Sequence, residues 1–446
     1  MDTFDFMIAS TGSGRGKTTI TVSLLSLFKE NGYDVRAFKC GPDYIDPMFH
    51  RDVLKIPSTN LDSFFLDDSS LNTLYRKKRG AVNIIESAMG LYDGKGASGD
   101  NSAYEIASTL NIPIILVIDA YGMGYSILAE ILGFLSLDKN ELIKGIILNR
   151  ISEKFYDKIS AVLSEKLQDR CKVLGFVNKM KDVSLKSRHL GLMSPEENSL
   201  QDKLKIYRDS VKGVYNSILS SDLFTLDNLN DSSDSTLACG DENAAKESAN
   251  SIRIAVAKDE AFSFIYEENI DVLKELGAEI IYFSPIHDKE VPQCDALILY
   301  GGYPENYLPK LSSNESMLKS IRDAISGGVK TLAECGGYMY LLDEIEHEGN
   351  VYKLASVIKG RAYRTTGLVR FGYVDVNVKG NIIKGHEFHH FEVDTNEPFD
   401  ENITISSASN DENYKGFITR DNLIAGFPHL YYLSNKEFVK EFIKNE

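Results

Sequence analysis

The run Ser10-Thr11-Gly12-Ser13-Gly14-Arg15-Gly16-Lys17-Thr18-Thr19 follows an apolar stretch, Phe4–Ala9, and leads straight into a helical one, Thr18–Glu30. Few folds accept such a junction. Glycines let backbone N–H groups turn inward on an anion, the start of a helix adds positive potential, and a lysine at that start supplies a full charge. The pattern is a phosphate-binding P-loop of the GxxxGKT form, with Thr11 where the commoner GxxxxGK[ST] spacing has a glycine. It assigns Gly12, Gly14, Gly16, Lys17, Thr18 and Thr19 to a nucleotide, with the Thr18 hydroxyl on Mg²⁺. Such a loop sits at the carboxyl end of the first strand of a mostly parallel, doubly wound sheet.

The residues that follow fit that sheet. Val35–Cys40, Ala81–Glu86, Ile112–Asp119, Gly145–Asn149 and Val173–Val177 are short apolar runs of buried-strand character, separated by helical patterns such as Tyr125–Leu135. A chain of 446 residues exceeds one hydrophobic core, and a second α/β unit is expected. Residues 226–250 lack aromatics and are rich in Ser, Asn and acid, the composition of a solvated linker. Beyond them Arg253–Ala257, Glu279–Phe283, Ala296–Tyr300 and Val329–Ala333 are again strand-like, with helical stretches near Tyr266–Leu276 and Glu315–Ser326. Two α/β domains are therefore expected, 1–225 and 251–446, joined by 226–250.

Carboxylates stand where a Mg²⁺–nucleotide site needs them. Glu86 closes one apolar strand and Asp119 another; Glu86 is preferred as metal ligand because the Gly-rich Ser87-Ala88-Met89-Gly90-Leu91-Tyr92-Asp93-Gly94 follows at once. Asp43 and Asp46 of Gly41-Pro42-Asp43-Tyr44-Ile45-Asp46-Pro47, with Asp93, fit either metal binding and orientation near the γ-phosphate or ordered turns with Asx caps. Asn149, at a strand end, suits an adenine edge or a turn.

In the second half, strand Val329–Ala333 runs into Glu334-Cys335-Gly336-Gly337 and a helical stretch. A thiol on a tight strand-to-helix turn is exposed to substrate and set at a helix N-terminus that favours thiolate. Cys335 is the expected nucleophile, and backbone N–H groups of Gly301-Gly302-Tyr303-Pro304-Glu305 suit an oxyanion hole. The residues alone leave His287, His347, His386, His389, His390 and His429 as bases, and the cluster His386, His389 and His390 is expected to be partly exposed on a strand. The other cysteines, Cys40, Cys171, Cys239 and Cys294, show no metal-site spacing and suit a reducing compartment.

Together these motifs resemble the cobyrinate a,c-diamide synthase family, over nearly the whole chain outside the linker. The resemblance rests on the P-loop, on Pro42-Asp43-Tyr44-Ile45-Asp46-Pro47, Met89-Gly90-Leu91-Tyr92-Asp93-Gly94, Arg188-His189-Leu190-Gly191-Leu192, Ile254-Ala255-Val256-Ala257 with Asp259, Ala261-Phe262 and Phe264, Gly301-Gly302-Tyr303-Pro304-Glu305, and Gly385-His386-Glu387-Phe388-His389. It implies a dethiobiotin-synthetase-like P-loop domain fused to a class I-type glutamine amidotransferase domain. It also implies a reaction: ATP activates the c and then the a acetate carboxylate of the corrin cobyrinic acid as acyl phosphates, and ammonia from glutamine displaces the phosphate. Cys335 and base His429 would open glutamine. Lys17 and Thr18 map onto phosphate and magnesium positions, Glu86 and Asp46 onto metal positions, Asn149 onto the nucleotide base, and Asp43, Tyr44, Asp46 and Asp93 onto positions near the reacting carboxylate. Only the first histidine of the family's usual His-Leu-His run is retained, as His429 before Leu430 and Tyr431. No triad acid is marked in this tail. Ser87-Ala88 also replaces the usual Gly or Val, which bears on substrate fit.

Two rivals stand beside this reading, and only the second has a local signature. Hydrogenobyrinic acid or nickel sirohydrochlorin would undergo the same a,c-diamidation, and a partitioning-type P-loop ATPase switch would carry a second lysine where this chain has Gly12. Lys plus Arg total 49 against 65 Asp plus Glu, a net charge of −16, which disfavours a nucleic-acid partner. The opening MDTFDFMIAS has no basic or cleavable apolar segment and no run approaches a membrane span, so a cytoplasmic enzyme without a membrane partner is expected. Oligomeric state has no signature here.

Overall fold

The computed structural model describes residues 3–179, 197–225, 252–410 and 412–443. The expected linker 226–250 and Arg188-His189-Leu190-Gly191-Leu192 lie outside them. The chain divides into two compact units, 1–236 and 237–446.

The first unit is a parallel seven-stranded sheet. In chain order it comprises β1 (Phe4–Ser10), α1 (Lys17–Glu30), β2 (Val35–Cys40), α2 (Ile45–Met48), β3 (Ser58–Leu61), α3 (Asp68–Lys78), β4 (Val82–Glu86), α4 (Ala103–Leu110), β5 (Ile114–Asp119), α5 (Ser126–Leu137), β6 (Ile143–Asn149), α6 (Glu153–Leu167), β7 (Lys172–Val177) and α7 (Glu197–Leu219). The sheet order is β3-β2-β4-β1-β5-β6-β7. Strands β1, β4 and β5 are buried along their whole length, which is why they read as continuous apolar runs. Helix α1 is buried nearly all round: Leu24, Leu25 and Phe28 have no exposed surface, and Phe28 meets Tyr215 of α7 edge-on at 4.8 Å. That packing anchors the end of the P-loop. The order reverses between β4 and β1 relative to the chain, and β1, β2, β4, β5 and β6 all bring their carboxyl ends to one edge.

Strand β3 was not among the expected strands. Its sequence, Ser58-Thr59-Asn60-Leu61, is mostly polar yet buried, and Asn60 Nδ2 donates to the carbonyls of Gly41 at 3.0 Å and Asp43 at 2.7 Å. It holds the segment after β2 in place.

The second unit has a six-stranded α/β sheet built from β8 (Ile252–Ala257), α8 (Glu267–Glu275), β9 (Ala278–Phe283), β10 (Ala296–Leu299), α9 (Leu308–Ser313), α10 (Glu315–Ser326), β11 (Lys330–Glu334) and α11 (Gly336–Leu341). Two later sheets extend it. They use β12 (Leu342–His347), β13 (Asn350–Lys353), β14 (Ile358–Arg364), β15 (Arg370–Val378), β16 (Asn381–His389), β17 (Phe391–Asp394), β18 (Ile403–Ser407), β19 (Asn413–Tyr414) and β22 (His429–Leu430), while β20 (Phe417–Arg420) and β21 (Leu423–Gly426) join the six-stranded sheet and α12 (Lys436–Ile443) closes the chain. The main sheet runs β20-β21-β11-β10-β8-β9; the added sheets run β13-β12-β14-β17 and β19-β18-β15-β16-β22. Of these added strands the sequence reading marked only the stretch that carries His386 and His389, now β16. Parallel pairing of β11 with β21 sets Glu334 opposite Gly426, so the turn after β11 lies beside the short stretch from β21 to β22. Among the described residues no helix is long and apolar enough to cross a membrane.

Candidate active sites

In the first unit the loop between β1 and α1 takes left-handed backbone at Gly14 (φ +73°) and Gly16 (φ +98°), conformations that favour glycine. A Cβ on Gly16 would also collide with the Asn149 amide. Asn149 Nδ2 donates to Arg15 O at 2.8 Å, so the end of β6 braces the loop. Lys17 reaches back over it: Nζ donates to Ser10 Oγ at 3.0 Å, to Gly12 O at 3.3 Å and to Met89 O. Burial, then the charge of Lys39, draws the Lys17 pKa down to about 8.

Four charged groups meet behind the loop. Thr18 Oγ1 donates to Glu86 Oε1 at 2.6 Å. Lys39 Nζ lies 2.8 Å from Asp46, 3.3 Å from Glu86 and 3.9 Å from Asp43. Burial alone would strip the Lys39 proton; Asp46, Glu86 and Asp43 outweigh it and hold the ammonium well above its usual range. Burial also opposes the charged form of Asp46, and Lys39 overcomes it, keeping that carboxyl below its ordinary value. Glu86 has no exposed surface, and burial pushes it up to about 7 against the pull of Lys39. Asp43 rises to about 6 through burial and the neighbouring Asp46, while its Oδ1 caps the turn by accepting from the N–H groups of Ile45 and Asp46. Asp93 Oδ2 likewise accepts the Gly90 N–H at 2.8 Å. Tyr44 is buried beside them in sequence.

These donors suit Mg²⁺. Glu86 Oε2 is buried with no hydrogen-bond partner among the described residues, and a hydroxyl and a carboxylate are the hard oxygen ligands this ion takes alongside water and phosphate. Asp46 is engaged by Lys39 and would have to part from it to serve. Among the described residues no group of three or more His, Cys, Asp or Glu side chains forms a metal site by itself. Asp119 has another task, binding Arg15 at 3.0 Å and Arg150 at 2.7 Å, which ties the loop to β5 and β6.

In the second unit Cys335 occupies the turn between β11 and α11 with φ +47° and ψ −106°, a strained conformation for a residue with a side chain. Its N–H donates to Gly426 O at 2.8 Å. Gly301, just after β10, lies between the two reactive side chains: a Cβ there would strike the His429 ring and come 3.3 Å from Cys335 Cβ. The structure thus brings Cys335 and His429 together. Gly302 N is 3.2 Å from where a Cβ on Gly336 would stand, so an N–H donor borders the nucleophile's turn.

The thiol differs from its expected state. Cys335 is 5% exposed, and burial, reinforced by the charges of Glu305, Glu387 and Glu334, pushes its pKa up, outweighing the Gly336 N–H. A resting thiolate is not favoured, so a nucleophile here would have to lose its proton as it attacks. Burial, with His386 and His389 nearby, keeps His429 well below its ordinary value and therefore neutral, as a base must be. His386 and His389 are also corrected: both lie on β16, as expected of strand residues, but both are buried. Only His390 is partly exposed.

Comparison with known proteins decides the relationship. Residues 6–192 match the CobQ/CobB/MinD/ParA nucleotide binding domain and residues 253–437 the CobB/CobQ-like glutamine amidotransferase domain. The cobyrinate a,c-diamide synthase of Clostridium tetani is 38% identical over 98% of this chain and 99% of its own length. The chain belongs to the cobyrinate a,c-diamide synthase family. With that family it is a glutamine-dependent amidotransferase ligase. The cobyrinate a,c-diamide synthases of Clostridium acetobutylicum, at 36% identity, and Caldanaerobacter subterraneus, at 37%, each align with 98% of the chain.

Within this member of the cobyrinate a,c-diamide synthase family, sequence reasoning missed Lys39. A lysine on the apolar side of Arg36 in strand Val35–Cys40, between Phe38 and Cys40 and just ahead of an acidic turn, was the available signal. His386 stood among the candidate bases, but a histidine in a strand carries no mark of the partner it will face.

Proposed function

We propose that this chain a,c-diamidates cobyrinic acid in cobalamin biosynthesis, with the P-loop unit (expected as 1–225) activating carboxylates and the amidotransferase unit (251–446) supplying ammonia. The observation that carries the reading is Cys335 held on a strained strand-to-helix turn against His429, in one chain with a P-loop whose lysine and threonine meet buried carboxylates. In the first unit, Gly12, Gly14, Gly16, Lys17 and Thr19 hold the phosphates of ATP and Asn149 meets its base. Thr18 and Glu86, with Asp46 as a further donor, would hold Mg²⁺, which when bound neutralises phosphate charge. A corrin acetate oxygen attacks the γ-phosphorus, the bond to ADP breaks, and an acyl phosphate forms. Asp43, Tyr44, Asp46 and Asp93 position that acetate. Ammonia then adds to the acyl carbon and inorganic phosphate leaves.

In the second unit the Cys335 thiol attacks the glutamine carboxamide while His429 takes its proton, and the Gly302 N–H stabilises the oxyanion. His429 returns the proton to the departing ammonia, and water opens the thioester to glutamate. Hydrogenobyrinic acid and nickel sirohydrochlorin would pass through the same steps, and a partitioning-type switch would use the P-loop without Cys335.

Mass spectrometry of each tetrapyrrole incubated with the protein, ATP, Mg²⁺ and glutamine separates these readings. Two successive exchanges of OH for NH₂ on cobyrinic acid are expected. Diamidation confined to another tetrapyrrole would reassign the substrate, and ATP turnover with no amidated product would reject the ligase reaction.

A further inference from the structure

Triads of the serine-protease type fix the plane of their histidine through a hydrogen bond to an acid. His429 is gripped through its faces. Its ring lies nearly parallel to that of His386, with centroids 4.9 Å apart and planes at 16°. The two residues stand directly opposite in the antiparallel pairing of β16 with β22. Gly301 backs the His429 ring on another side, where any Cβ would strike Cε1. The Phe264 ring is 6.1 Å away, and the Phe264 N–H donates to Gly301 O at 3.1 Å, so this wall is itself tied down. His386 is secured in turn. Its Nδ1 lies 3.3 Å from the Tyr266 hydroxyl, and the Tyr266 ring meets Tyr431 edge-on at 5.2 Å. Ring stacking of this kind fixes a plane.

We propose that His386 is a positioning residue for glutamine opening: its ring, stacked on His429, sets the plane in which that base faces Cys335. The inference rests on the reading of Cys335 and His429 as nucleophile and base. His386 is 6% exposed, and burial lowers its pKa to about 3, so it presents a neutral flat surface and exchanges no proton near neutrality. The role therefore belongs to the ring and not to its titration. A flat side chain without nitrogen should serve, and a branched one of similar bulk should not.

The test uses the full chain, with glutamate release giving kcat and KM for glutamine, and with ammonia-driven ATP turnover and the melting curve as controls for folding. His386→Leu is expected to lower kcat by about 30-fold with KM changed less than about threefold, because a misplaced base costs turnover more than ground-state binding. His386→Phe is expected to recover activity to within about fivefold of the parent, since it restores the stacked face. Full kcat in His386→Leu would overturn the proposal, and so would a His386→Phe variant as slow as His386→Leu while melting like the parent. His386→Asn, polar and ringless, replaces the leucine variant if that one fails to fold, and is judged by the same outcomes. A parent chain that releases no glutamate at all would instead overturn the assignment of Cys335 and His429, and this proposal with it.

Discussion

Glu334 precedes the nucleophile and faces the other way, into a wall of tyrosines. It is 1% exposed, its Oε1 lies 3.5 Å from the Tyr432 hydroxyl, and burial raises its pKa well above the ordinary value despite donors from Leu430 N–H and Tyr432. The folded chain therefore keeps this proton after the unfolded chain has released it. Stability must fall as pH rises above the unfolded value near 4.5, by about 1.4 kcal/mol per unit until the folded pKa is passed. Glu334→Gln keeps the shape and removes the proton linkage. The variant should match the parent near pH 4.5 and melt progressively above it toward pH 8, and an identical pH dependence of melting in the two proteins would contradict the burial argument. Neither Glu334 nor Lys39 could be valued from sequence, because the worth of a buried charge is set by neighbours brought in by the fold. Lys39 sits among Asp46, Glu86 and Asp43, of which Glu86 is 47 residues away in the chain. The turn that carries Cys335, by contrast, was legible: the strand before it and the glycines after it are local, and only the thiol's burial and protonation state needed the structure.

At the scale of elements, the turn after β11 and the loop after β10 act as one device, because Gly301 sits between the elbow and β22. Gly301→Ala should push the His429 ring away from Cys335. Displacement of a reacting group by about 1 Å costs on the order of 100-fold in rate, and glutamate release should drop by about that factor while ammonia-driven amidation persists. Retention of more than about half the parent's glutamate release would show that the clash is relieved without moving the base. Apolar runs revealed the central strands of both sheets, since strands buried on both faces have no polar alternation to conceal them. β3 escaped because its buried side chains are polar and satisfied locally by Gly41 and Asp43. β15 and its pairing with β16 carried a signal that went unread. Val374, Val376 and Val378 alternate with polar residues, and Lys379-Gly380, at φ +51° and +95°, makes the hairpin turn. That hairpin carries His386 to its place opposite His429, which only the pairing reveals.

For the whole molecule, a net charge of −16 stands against substrates that are themselves anions. Lys17 and Lys39 place two cations among the acids of the first site, whereas Glu305, Glu387 and Glu334 stand near Cys335. The two sites thus suit different cargoes, a phosphorylated anion and a net-neutral amino acid, and their chemistry should separate cleanly by mutation. Lys17→Ala removes the P-loop cation, so amidation should fail with glutamine and with ammonia alike, each by at least about 100-fold, while glutamate release continues. Cys335→Ser keeps the turn but replaces the thiol with a far weaker nucleophile. Glutamine-driven amidation should then vanish while ammonia-driven amidation runs near the parent's rate. Glutamate release, amide product and ADP, followed together in both variants, check these outcomes. Full glutamate release by Cys335→Ser would remove that residue from its role. Loss of glutamate release in a folded Lys17→Ala protein would mean that glutamine opening waits on the nucleotide, and the division into two independent sites would give way to one coupled reaction.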